Sequence, residues 1–193
     1  MEQVLCAEAA SHNARSHREG FGEYRAPTGV SSAARNDARN IDELRNEVDR
    51  VSRKLGRRVK FLVGKPGLDG HSNGAEQVAV RARDAGMDVV YDGIRFTPED
   101  IVKAARDKNV HVVGLSILSG SHMPLVKEVV GKMREAGLAE VPVVVGGIIP
   151  EDDAADLKDA GVAAVYTPKD FELNRIMTDI VQIVEKKTPS KAA

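Results

Sequence analysis

Tryptophan is absent from these 193 residues, and there are only three tyrosines and four phenylalanines. So few rings make poor material for stacking nucleic-acid bases. Neither sign of charge is in excess: 28 Lys and Arg stand against 29 Asp and Glu, for a net charge of −1. With no polybasic or arginine-rich segment, the chain offers no electrostatic case for a nucleic-acid partner. The single cysteine, Cys6, excludes an internal disulfide framework and a cysteine-rich zinc site, and it suits a reducing compartment. No apolar run approaches the ~18 residues of a membrane span, and the N-terminus lacks the apolar core of a signal peptide. The expectation is a soluble, cytoplasmic chain without nucleic-acid or membrane partners.

What is present is ordered along the chain. Residues 1–40 carry few large apolar side chains and much Ala, Arg, Asn, Ser and Gly, the composition of an irregular or disordered linker. A helix is expected over 41–56, N-capped by Asn40, with Glu43 completing a capping box and Gly56 ending it. Its apolar residues Ile41, Leu44, Val48, Val51 and Leu55 recur at threes and fours over too few heptads for a coiled coil. Packing on the domain or on a partner is the expected use. From Arg58, β-branched runs at 58–64, 88–92, 111–117, 142–146 and 163–166 alternate with amphipathic stretches at 73–86, 98–108, 123–136, 150–160 and 171–186. This alternation predicts an α/β, flavodoxin-like (Rossmann-type) domain over 57–187, with a short tail at 188–193. Its parallel sheet should take the order 2-1-3-4-5, with helices on both faces.

In such a sheet ligands bind over the carboxyl ends of the strands, at the switch between strands 1 and 3. The loops bordering that crevice hold the unusual residues. After strand 1 comes Asp69-x-His71-x-x-Gly74, after strand 3 Ser119-Gly120-Ser121-His122, and after strand 4 Gly146-Gly147. A carboxylate two residues before a histidine can hold one ring nitrogen and leave the other free to ligate a metal. Other readings fail on spacing. Gly64-Lys65-Pro66 lacks the Ser or Thr of a Walker loop, and Gly64, Gly67 and Gly70 do not make a dinucleotide fingerprint. A phospho-acceptor domain would want an Asp at the end of strand 3, where this chain has Ser116 and Leu118. A zinc hydrolase needs more ligands than one Asp-x-His supplies. A crevice with one oriented imidazole and small flanking residues suits a metal already held by a macrocycle. The remaining histidines read plainly: His12 and His17 as solvated, His111 as a packed or edge residue, and His122 as lacking any carboxylate nearby in sequence. Lys65 reads by default as a solvated loop lysine.

Asp69-x-His71-x-x-Gly74, Ser116-x-Leu118 and Gly146-Gly147, in this order, resemble the cobalamin-binding domain of the cobalamin-dependent mutases and methionine synthase. Gly-Leu-Asp-Gly-His-Ser-Asn-Gly, Leu-Ser-Gly-Ser-His-Met-Pro and Val-Tyr-Thr-Pro-Lys-Asp-Phe are most similar to the acyl-CoA mutase branch, of the ethylmalonyl- and methylmalonyl-CoA type. Thr167-Pro168-Lys169-Asp170 favours the ethylmalonyl side, and Phe21–Val30 resembles the segment following the catalytic barrel in these enzymes. The resemblance implies that adenosylcobalamin is bound base-off, with His71 as axial ligand of cobalt and Asp69 and Lys65 behind it. It also implies contacts to the cofactor from Asp69, Gly70, His71, Ser72, Gly74, Ser116, Leu118, Ser119, Gly120, Gly146, Gly147, Tyr166 and Thr167. No catalytic residue is expected in this chain. A substrate-binding barrel, as domain or subunit, is the implied partner, without which the chain should be inactive; a homodimer is left open. The competing reading is a stand-alone corrinoid carrier serving a methyltransferase or a cofactor-delivery partner.

Overall fold

The computed structural model describes residues 32–67, 73–91, 93, 96–118, 120–170 and 172–187, with side chains from Asn40 onward. The chain divides into two compact units, residues 1–37 and 38–193. Of the first, only the helical residues 32–37 are described.

The elements follow in the order α1 (Ser32–Leu55), β1 (Lys60–Gly64), α2 (Asn73–Asp84), β2 (Asp88–Val90), α3 (Pro98–Asp107), β3 (Val112–Ile117), α4 (His122–Glu135), β4 (Val143–Gly147), α5 (Glu151–Asp159), β5 (Ala164–Tyr166) and α6 (Leu173–Lys187). All five strands are parallel, and the sheet order is β2-β1-β3-β4-β5, as the alternating pattern predicts. The central strand β3 is flanked by β1, with Val63 opposite Gly114, and by β4, with Ser116 opposite Gly146.

The first helix corrects the sequence reading. It begins at Ser32, so Asn40 is an interior residue and not its N-cap, and 32–40 are helical rather than irregular. The end agrees: Gly56 adopts φ +70°, a conformation that other residues resist. Within the second unit α1 belongs to the core. Leu44, Val48 and Val51 are fully buried in one cluster with Val59, Met87, Ile180 and Val184. Arg50 donates to Glu47 and to Glu185 of α6, and Lys54 also donates to Glu185. The Arg50 and Lys54 bonds hold the Glu185 carboxyl at about 2. Burying each of the three apolar side chains is worth at most about 1.5–3 kcal/mol, so apolar contact rather than the exposed ion pairs holds α1 in place.

Period-2 alternation along the strands sorts the sheet into two unlike faces. One carries Leu62, Val113, Leu115, Ile117 and Val145, and it packs against buried residues of α3, α4 and α5 such as Ile101, Val129 and Leu157. The other carries Phe61, Val63, Gly114, Ser116, Val144 and Gly146, and it faces Ala75 and Ala79 of α2 and Ile176 and Ile180 of α6. The small residues of this second face fall at the carboxyl ends of β3 and β4. There the core opens.

Candidate functional site

Between α2, α6 and the second face of the sheet lies a cavity of about 360 Å³. Its walls are Phe61, Val63, Ala75, Val144 and Ile180, each at most 3% exposed, and Ile176, still buried at 9%. Its mouth carries Ser116, Leu118, Thr167 and Pro168. The hollow follows from residue size. Opposite Gly114 the Phe61 ring already fills the place of a side chain, since a Cβ there would stand 2.7 Å from it. At Gly146 a Cβ would meet nothing within 4 Å, so the space beside it is open. Gly147 is small for a different reason. A Cβ on it would fall 1.8 Å from the Ile117 carbonyl oxygen, so the β3–β4 exit itself requires glycine. The Gly-Gly pair thus separates into one residue that leaves room and one that permits a close backbone approach.

Of the residues singled out in the sequence, Gly74, Ser116, Leu118, Gly146, Gly147, Tyr166 and Thr167 all line this one slot, although they come from four separate segments. Gly120 is exposed and is not among the lining residues. Asp69, Gly70, His71, Ser72 and Ser119 lie outside the described residues. Tyr166 puts its ring on the slot, while its hydroxyl is buried without a hydrogen-bond partner. Burial, with Asp179 and Asp170 nearby, pushes that phenol above its ordinary range. The loop following it is held by Asp170, whose carboxylate accepts from the Thr167 amide at 2.9 Å and from the Thr167 hydroxyl at 3.2 Å.

For two residues the structure adds what their sequence neighbours do not show. Lys65 is fully buried rather than solvated. What looks like a loop after β1 continues it in space: Pro66 bridges Phe96, the Lys65 carbonyl accepts from the Phe96 amide, and the Gly67 amide donates to the Phe96 carbonyl. His122 is 6% exposed, and its Nε2 lies 2.7 Å from Oδ2 of Asp153. That carboxylate is 31 residues away, so no local pattern reveals it. His111, at the opposite pole, is a packed residue as expected, and its Nδ1 accepts from the Lys60 amide at 2.8 Å. Burial, then the charges of Arg57 and Lys60, lower its pKa to about 4.

The slot suits a flat, mostly apolar group with polar atoms at its outer end, because hydroxyls stand at the mouth and hydrocarbon at depth. Among the described residues no group of three or more His, Cys, Asp or Glu converges to hold a bare metal ion. Also among them, no helix is long and apolar enough to cross a membrane.

A doubly wound domain with its cleft over the carboxyl ends of β1, β3 and β4 is thus the class that the geometry defines. The model of the B12 binding domain family matches residues 59–173, and the chain belongs to that family. It is 66% identical over 169 residues to an ethylmalonyl-CoA mutase of Cereibacter sphaeroides, a match covering 88% of this chain and 26% of the relative. Identity to an ethylmalonyl-CoA mutase of Methylorubrum extorquens is 56% over 181 residues, covering 91% and 25%. The chain therefore spans about a quarter of the length of these curated relatives. In fold it is similar to a cobalamin-binding protein from Desulfitobacterium hafniense, with a TM-score of 0.55 at 20% identity, covering 77% of this chain and 71% of the other.

Proposed function

We propose that this chain binds adenosylcobalamin base-off and His-on, as the cofactor-carrying part of a carbon-skeleton acyl-CoA mutase of the ethylmalonyl-CoA or methylmalonyl-CoA type. The observation that carries the reading is the convergence of Ser116, Leu118, Gly146, Gly147, Tyr166 and Thr167 on one apolar slot. The slot would take the nucleotide tail, with its aromatic base against Phe61, Val63 and Val144 and its polar end toward Ser116 and Thr167. His71 would ligate cobalt and Asp69 would orient its ring. Lys65 would hold Asp69 ionised. Burying an ammonium is costly without compensation, and the full burial of Lys65 supports a role there rather than in solvent. When bound, the cofactor supplies a cobalt–carbon bond that breaks homolytically for radical chemistry. The chain's own part is to bind, orient and shield it.

The identity to ethylmalonyl-CoA mutases supports a substrate-binding barrel as partner, and turnover is expected only with that barrel supplied. The single Cys6 suits a cytoplasmic setting. An absorbance titration of the purified chain with adenosylcobalamin, beside His71→Ala, tests the reading. A base-off spectrum whose cobalt ligation is lost in the variant is the expected result. A folded wild-type chain that leaves the spectrum unchanged would sink it.

A further inference from the structure

The pairing of β3 with β4 ends at Ile117 opposite Gly147, and beyond it the two chains part over the slot mouth. One leads through Leu118, 38% exposed, to the start of α4; the other leads through Ile148, 65% exposed, to the start of α5. Neither helix is capped by the side chain of its N-cap residue. Ser121, at the N-cap of α4, makes no side-chain cap bond, and neither does Pro150 at the N-cap of α5. By contrast α3 starts on a complete capping box between Thr97 and Asp100. In the two uncapped helices the first turns are instead joined to each other: His122 is the first residue of α4, and its Nε2 meets the Asp153 carboxylate in the first turn of α5 at 2.7 Å. The imidazole is buried at 6% exposure while the Asp153 side chain is 35% exposed, so water competes for this bond less than for the surface ion pairs.

From this we infer that His122 and Asp153 are positioning residues that set the separation of the two loops at the slot mouth, and with it the fit of the cofactor. Below the mouth the loops are held by the close approach of Gly147 to Ile117, and above it by the imidazole–carboxylate bond. Leu118 and Ile148 lie between these two ties. A half-buried side-chain bond between helix starts is either made or broken, so its loss should let both rims drift together. The inference rests on the reading of the slot as a cobalamin site.

A double-mutant cycle with His122→Asn and Asp153→Asn tests it, read by cobalamin affinity in absorbance titrations of the full chain. Contacting groups couple by about 0.5–3 kcal/mol, so each single variant should bind about tenfold more weakly and the double variant no worse than either. Met133→Ala, at the far end of α4, is the control: it should lower the melting temperature while leaving affinity within twofold. Amide exchange of the ligand-free chain supplies a second readout, in which either substitution should speed exchange over 116–121 and 146–150 together. Unchanged affinity with a lowered melting temperature would reduce the pair to a packing contact and overturn the proposal, as would exchange that quickens in one loop alone. If the wild-type chain bound no cobalamin, the reading of the slot would fall, and the cofactor role of the pair with it. Linked exchange in that case would retain only the mechanical tie.

Discussion

The two faces of the sheet are built from the same five strands yet do opposite work. On the face toward α3, α4 and α5, Leu62, Val113, Leu115, Ile117 and Val145 pack among buried helix side chains. On the face toward α2 and α6 the same strands present Ser116 and Gly146 at their carboxyl ends, and a cavity of about 360 Å³ opens there. Both faces carry an extensive buried apolar cluster. At its carboxyl edge the second leaves apolar contact unmade, a deficit that a bound ligand would offset.

The comparison breaks most decisively if the hollow is filled. Gly146→Leu puts a side chain into open space, so cobalamin affinity should fall at least about a thousandfold, equivalent to about 4 kcal/mol. Because that side chain displaces no neighbour, the melting temperature should stay within a few degrees. Damage to the filled face should do the reverse. Ile101 is 1% exposed and packed in the opposite cluster, so Ile101→Ala should cost about 2–5 kcal/mol in urea unfolding. Affinity measured well below the melting point should not change.

If the open face is repaid by its ligand, cobalamin at a hundred times its dissociation constant should stabilise the chain by about 2.7 kcal/mol. Calorimetry would show this as a rise of roughly 5–10 °C, absent in Gly146→Leu. The far pole of the sheet should respond to protons instead. His111 has a pKa of about 4 in the folded chain against 6.5 when unperturbed, so the unfolded chain binds more protons between those values. Stability should therefore decline as pH falls from about 6.5 to about 4, by about 1–2 kcal/mol once the half-exposed ring is allowed for. His111→Gln should flatten that slope in urea titrations across the range, and an unchanged slope would assign it to other groups.

The finest test compares two valines. Val113, on the filled face, and Val63, on the slot, are both buried. Val113→Ala should cost about 1 kcal/mol more than Val63→Ala in the ligand-free chain, because the slot side has fewer packing partners to lose. Saturating cobalamin should narrow that gap. Equal costs in both states would mean that the slot is no looser than the rest of the core.

Strand order, the two-layer cover of helices and the region of the slot are all legible in the sequence, because period-2 and helical periodicities are local. Five strands alternating with helices leave few topologies. Seven of the residues marked along the chain meet at one slot because strand ends and loops at a topological switch are neighbours in any sheet of this order. The start of α1 was not legible. Asn40 and Glu43 form a plausible cap, yet the helix begins at Ser32 and runs through them, since a capping residue is only an option that a continuing helix can leave unused.

By itself, then, the sequence determined the fold class, the sheet order and which glycines and serines gather at the carboxyl edge, since each of these follows from residue size and spacing along one chain. Only the tertiary structure decided that Lys65 is buried, that His122 finds the carboxylate of Asp153, and that Gly146 makes room while Gly147 answers the Ile117 carbonyl. Each of these depends on what approaches from a distant segment, and spacing along the chain carries no record of that approach.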